Sequence, residues 1–269
     1  FSGKMHQRTV ERFRLQEALR EAVANNFNGF SLVYQPLVKG WNQKVYGAET
    51  LMRFTLPDGT TVSPMNFIPI LEEDGSIRKV GKWLLEAALK QASAWQKIYP
   101  DFVISINISY VQMLQSGFRE MVMKTVKNQN TPPKLLILEL TESCKVSDPN
   151  RLCEDFQYFK DAGINMALDD FGTEYSSIAL LRKLKPQWIK IDHTFVRSIN
   201  DDEMDQAILE YIMNLSKQTN IKVCVEGVET SEILSVVQSY HPELLQGYYF
   251  SKPCPAEEFS RKYFGESNN

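Results

Sequence analysis

Histidine is nearly absent from this sequence, with only His6, His193 and His241 among 269 residues. None of the three sits where it suggests a nucleophilic triad or a histidine-ligated metal. Cysteine is scarce too, and Cys144, Cys153, Cys224 and Cys254 show no CxxC spacing. That argues against a zinc knuckle and against a secreted disulfide framework, and for buried thiols in a reducing cytoplasm. No run approaches the ~18 apolar residues of a membrane span, and no signal-peptide core opens the chain. Positive charge is not in excess: the net charge is −3, which offers no basic field to duplex nucleic acid. A local cationic site for a small anion is still compatible with that balance. There is no P-loop, no dinucleotide-type glycine spacing, no internal repeat and no low-complexity tract. The first residue is Phe1 rather than Met, so the expectation is a piece of a longer protein, with sensory or membrane parts elsewhere.

What is present is an ordinary folded composition, 43% hydrophobic and 23% charged. The length suits one or two domains, or a single α/β barrel of about 250 residues. Residues 4–24 read as a charged amphipathic helix with Leu15, Leu19 and Val23 four apart. We expect an N-terminal helical connector over 1–24 and a barrel domain over 25–269. Strand-like runs follow at 31–35, 45–53, 102–108, 135–140, 164–169, 187–191, 221–226 and 244–247. Helical patterns fill the gaps, as at 80–97, 111–127, 149–162, 203–218 and 230–239. Eight strands with interleaved helices predict an α/β fold, a modified (β/α)8 TIM-like barrel. One connection breaks the regular pattern. The gap from Gln35 to Val45 is too short for a parallel crossover, so the first strand should run antiparallel.

Polar residues interrupt these strands in a repeated way. Alternation puts Glu49, Leu51 and Arg53 on one face of their strand. Asn107 interrupts FVISINIS, Glu139 interrupts LLILEL, and Asp169-Asp170 ends INMAL. Lys190 interrupts QWIKI with Asp192 just beyond, and Glu226 ends IKVCV. Each lies in or near the C-terminal part of a strand, where barrel active sites are built. Any one of them alone reads better as a structural ion pair or a strand-end turn. Six strands repeating the pattern point instead to convergence on one site. Such a cluster of anions needs a cation, and all-oxygen ligation suits Mg²⁺ or Mn²⁺, with Ca²⁺ as an inhibitory competitor. Adjacent Asp169 and Asp170 could share two metals, the arrangement used in phosphodiester chemistry.

Read together, YQPLV, GAETLMRF, SPMNFIPILEE, INIS, LELTES, ALDDFGTEYSS, KIDHTFV, VEGVET and QGYYFSKP resemble the EAL domain family. Members of that family hydrolyse the bacterial second messenger cyclic di-GMP. The resemblance covers roughly residues 30–260 and implies a modified barrel with an antiparallel first strand. It also implies roles for individual residues. Glu49, Asn107, Glu139 and Asp169 match ligands of one metal, and Asp169 and Asp170 match those of a second. Lys190 matches the lysine that positions or deprotonates the attacking water; Glu226 and Gln246 match residues holding water and metal from the far wall. Gln35, Leu51 and Arg53 match substrate contacts, Arg53 having a fixed charge and forked donors for a phosphate oxygen. Glu142 matches the glutamate that anchors the loop after Asp170, and Asp192 lies beside Lys190 as in the family.

The activity implied is metal-dependent opening of cyclic di-GMP to linear pGpG, with two Mg²⁺ or Mn²⁺ ions per site. The alternative is a catalytically silent cyclic di-GMP receptor. A homodimer is implied as well, and an upstream sensory or cyclase-like domain, in a cytoplasmic setting or, for the full-length parent, a membrane-anchored one. Two residues depart from the family pattern. Thr50 replaces alanine in the signature triplet and should face away from the metals. Glu174 stands where DFGTGYSS has glycine, and is expected to impose a modest handicap on turnover.

Overall fold

The structure, a computed structural model, describes residues 2–141, 147–172 and 178–265, with side chains from residue 10 onward. The chain opens with α1 (Ser2–Ala24), β1 (Phe30–Lys39), β2 (Val45–Thr55) and a two-residue β3 (Thr61–Val62). Next come α2 (Pro64–Glu73), α3 (Ile77–Gln96), β4 (Val103–Ile108), α4 (Tyr110–Met113), α5 (Phe118–Asn128) and β5 (Leu136–Thr141). The third stretch holds α6 (Pro149–Asp161), β6 (Asn165–Phe171), α7 (Ile178–Leu184), β7 (Trp188–Ile191) and α8 (Thr194–Arg197). It ends with α9 (Glu203–Thr219), β8 (Lys222–Val225), α10 (Ser231–Ser239), β9 (Leu244–Leu245) and α11 (Ala256–Phe264).

Eight strands close a ring in the order β1, β2, β4, β5, β6, β7, β8, β9 and back to β1. The short β3 hangs on the edge of β2. β1 is antiparallel to both of its neighbours, and every other pair in the ring is parallel. The antiparallel first strand follows from the brief connection between Lys39 and Val45, which leaves room for a hairpin and not for a crossover helix.

The expected helix over 111–127 is in fact two, α4 and α5. The first ends at Met113, and Gly117, left-handed at φ +81, caps the start of the second. α2 has no counterpart among the expected elements. It contains Pro69, which obscures a helical pattern when only residue types are read.

Strand alternation divides the apolar residues in two. Outward-facing side chains such as Ile104, Ile106, Leu138, Leu168, Ile189 and Val223 join the large core beneath the helices. Inward-facing Leu37, Val103, Ile137, Ala167, Trp188, Cys224 and Leu244 form a separate cluster near the start of the parallel strands. Along each parallel strand the next inward position, two residues later, is polar. α1 lies against the barrel with Leu19 and Ala22 buried, and Arg12 and Arg20 pair with Glu73 and Asp74 after α2. Among the described residues no helix is long and apolar enough to cross a membrane.

Candidate active site

Sheet register assembles the polar layer. Gln35 lies opposite Glu49, Glu49 opposite Ser105, and Asn107 opposite Glu139. At the centre is Lys190 Nζ, 2.9 Å from Glu139, 3.3 Å from Glu49, 3.3 Å from Asp169 and 2.5 Å from Glu226. Asn107 Nδ2 donates to Glu49 Oε1 at 2.6 Å, and Gln246 Nε2 donates to Glu49 Oε2 at 2.6 Å and to Gln35 Oε1 at 3.0 Å. Ser105 Oγ donates to Glu139. Successive residues of a strand face opposite ways, yet the carboxylates of Asp169 and Asp170 serve one site. The reason is local: pairing between β6 and β7 shifts register between Leu168 and Phe171, and Asp170 adopts φ +54. This irregularity re-aims the second side chain.

Five carboxylates therefore crowd around one ammonium, and the electrostatics show the imbalance. Burial pushes the Glu139 carboxyl well above its usual range, although Lys190 opposes it. Burial raises Asp169 as well, again against Lys190. Asp170 is pushed up to about 6, by burial first and then by Asp169 and Asp192. Glu226 reaches about 8, because burial outweighs the attraction of Lys190. Glu49 goes the other way: the pull of Lys190 and hydrogen bonds from Gln246 and Asn107 overcome its burial. Burial alone would lower Lys190, but Asp169, Glu139, Glu226 and Glu49 drive it well above its ordinary value. One lysine cannot keep all five carboxylates ionised. More positive charge is wanted.

The donor geometry fits hard divalent cations. Glu49, Glu139 and Asp169 each offer an oxygen within 4.8 Å of the others, and so do Asp169, Asp170 and Glu226. Asp169 belongs to both groups. All donors are oxygens, the set that suits Mg²⁺ or Mn²⁺. A further acceptor, Gln246 Oε1, is buried with no hydrogen-bond partner among the described residues.

Above the carboxylates opens a cavity of about 460 Å³. Among the residues named from sequence, Gln35, Glu49, Leu51, Asn107, Asp169, Asp170, Lys190, Glu226 and Gln246 line it. Glu139 lies beneath, 1% exposed. Arg53 is elsewhere: its guanidinium donates to Met52 O, and it lines a neighbouring cavity of about 230 Å³ together with Thr50 and Leu51. Asp192 is buried and accepts from the backbone and hydroxyl of Thr194. Glu142 and Glu174 lie outside the described residues, as does Cys144. A larger cavity of about 570 Å³ sits on the outer rim beside α5 and α6, where Arg119 and Arg151 are already bonded to Asp155 and Gln115. Sequence reasoning missed Glu229, Tyr248 and His193, all of which line the carboxylate cavity. They stand on loops after strands, where alternation gives no signal; adjacency of His193 to Asp192 was the only available clue.

Comparison with known proteins agrees with this architecture. The family model described as EAL domain matches residues 16–253. The chain is 34% identical over 260 residues to the oxygen sensor protein DosP of Escherichia coli (strain K12), covering 96% of this chain and 32% of that protein. It spans about a third of the length of the first curated relatives it matches. A solved structure of the PaMucR phosphodiesterase in complex with c-di-GMP is 32% identical, with a TM-score of 0.85 over 91% of this chain and 99% of that one. The EAL enzyme Bd1971 with cAMP and cyclic-di-GMP bound gives a TM-score of 0.89 at 28% identity, over 95% of this chain and 69% of that one.

Proposed function

The chain belongs to the EAL domain family, and from that premise we propose that it hydrolyses cyclic di-GMP, opening one phosphodiester bond to release linear pGpG. The observation that carries this reading is the buried layer of five carboxylates around Lys190 at the C-terminal ends of the barrel strands. Similarity to a phosphodiesterase in complex with c-di-GMP supports the substrate. In this reading Glu49, Asn107, Glu139 and Asp169 would hold one divalent cation, and Asp169 and Asp170 would hold a second, with Glu226 alongside. Bound there, Mg²⁺ or Mn²⁺ would stabilise the negative charge that develops on the phosphoryl and leaving oxygens.

The chain's own residues do the rest. Lys190, fixed by four carboxylates, orients the attacking water by donating a hydrogen bond to it from Nζ. A role of that kind is worth roughly 10²–10⁴-fold in rate. Glu226 accepts a hydrogen bond from the same water, and Gln246, whose Oε1 has no partner among the described residues, lines the site beside it. Gln35 and Leu51 shape the wall against which the nucleotide rests. Arg53, in the adjoining cavity, binds the part of the ligand that extends past Leu51, where a forked guanidinium suits a phosphate oxygen.

The reading extends to residues 1–24 as a helical connector, 25–269 as the barrel domain, a homodimer, and an upstream sensory or cyclase-like domain in the cytoplasm. Incubation with cyclic di-GMP and Mg²⁺ or Mn²⁺, followed by chromatography, tests the central statement. The expected product is pGpG, formed only with metal. Tight binding of cyclic di-GMP with no product would favour a silent receptor.

A further inference from the structure

If the cavity receives a phosphodiester, as proposed above, a protein donor on its wall would share the anionic oxygens with the bound cations. Five described side chains bring nitrogen to the cavity wall: Gln35, Asn107, Lys190, His193 and Gln246. Four of them are already tied to protein oxygens. Gln35 Nε2 donates to Ser251 O at 3.2 Å, and Asn107 and Gln246 both donate to Glu49. Lys190 is surrounded by carboxylates.

His193 is different. Its Nδ1 lies 2.9 Å from Asp192 Oδ2, while Nε2 has no partner among the described residues. The ring is also held in place. Asp192 is itself fixed by Thr194, whose N–H and Oγ–H donate to Oδ1 at 2.9 and 2.5 Å. Gly227, at φ +73, packs against the backbone and Cβ of His193, where an added Cβ would come within 2.4 Å of His193 Cβ. The side chain is 62% exposed on the cavity side of this clamp. With Nδ1–H given to Asp192, the second nitrogen donates when the ring is charged.

We propose that His193 is a substrate contact: clamped by Asp192, it donates from Nε2 to a non-bridging oxygen of the phosphodiester being opened. The contact deepens the proposed function by adding a protein donor to a site otherwise dominated by acceptors. It also separates labour between two cations, with His193 serving the phosphate at the carboxylates and Arg53 the adjoining cavity.

Steady-state kinetics with cyclic di-GMP at saturating Mg²⁺, on the parent chain and on His193→Ala, His193→Lys and His193→Gln, test this contact. The alanine variant should raise KM roughly tenfold or more, the worth of a hydrogen bond to a charged acceptor, with a smaller change in kcat. Lysine, permanently charged, should recover most of the lost affinity, and glutamine less. Calorimetric metal titration should be unchanged in all three. An unchanged KM in His193→Ala overturns the contact, as does full recovery by glutamine with none by lysine, which would make the ring an acceptor from a ligand hydroxyl. Bis(4-nitrophenyl) phosphate separates this proposal from the function it rests on. If the parent ignores cyclic di-GMP yet His193→Ala weakens hydrolysis of that simple diester, the contact stands and the substrate reading falls. If neither compound distinguishes the variant from the parent, the contact is wrong.

Discussion

The lower and upper halves of the barrel interior share a backbone and differ in everything their side chains do. Below, Leu37, Val103, Ile137, Ala167, Trp188, Cys224 and Leu244 fill the ring with apolar volume. Above, two residues along the strands, stand Gln35, Ser105, Glu139, Asp169, Lys190, Glu226 and Gln246. Both layers are largely removed from water. Burying the lower one stabilises the fold at about 25 cal/mol per Å² of apolar surface. Burying the upper one costs several kcal/mol per ion before partners offset it. The same ladder of hydrogen bonds thus carries a layer that holds the barrel together and a layer that the barrel must hold together.

Removing the one ammonium should give the largest effect. Lys190→Ala is expected to cut turnover roughly 10²–10⁴-fold. It should also destabilise the metal-free protein by about 3–5 kcal/mol near pH 8, where the carboxylates are left unpaired. Urea unfolding and steady-state kinetics read the two effects separately. Unchanged stability would mean that the upper layer is neutral without its lysine, which contradicts the charge imbalance.

Proton uptake sharpens the contrast further. Asp170 and Glu226 are raised to about 6 and about 8 in the folded chain. The folded state holds these protons more tightly than the unfolded one, so the stability they contribute is complete below about pH 4. It is lost as pH rises through about 6 and then about 8. The thermal midpoint of the metal-free protein should therefore fall between about pH 5 and pH 8, and excess Mg²⁺ should flatten the fall. A midpoint that climbs over that range would contradict these directions.

The lower layer should respond in the opposite sense. Ile137→Ala should cost about 2–5 kcal/mol by cavity formation, at every pH. Turnover per folded molecule should hardly change. Loss of turnover in protein shown by circular dichroism to be folded would make the two layers one functional unit. The smallest effect is expected from Glu139→Gln. Replacing a buried, like-charged carboxylate by a neutral side chain of the same shape should stabilise the metal-free protein by about 1 kcal/mol. The same change should weaken metal binding, and chemical denaturation with and without Mn²⁺ would show the exchange.

Much of this contrast is legible in the residue order. LLILEL and QWIKI place one charge in an apolar run, and a charge at an inward position has to meet something. The hairpin between β1 and β2 follows from counting residues alone. Other features depend on geometry that residue types do not carry. Asp169 and Asp170 face one site because β6 shifts register there. The break between α4 and α5 opens after Met113 and closes on the left-handed Gly117 that caps α5, within a stretch whose residue types allow one continuous helix. Arg53 shares a strand face with Glu49, yet it ends in the adjoining cavity with Thr50, for alternation fixes a direction and not the reach of a long side chain. His193 was passed over because a lone histidine on a loop has no period to betray it.

The most direct test of the account is calorimetric titration of Mn²⁺ into the metal-free protein near pH 7, repeated in buffers of different ionisation heat. The account predicts saturable binding of two ions per chain. Protons should be released as the raised carboxyls of the upper layer ionise, and the Glu139→Gln variant should bind more weakly. Absence of saturable binding, or binding with no proton release, would contradict the claim that this layer is built around missing positive charge.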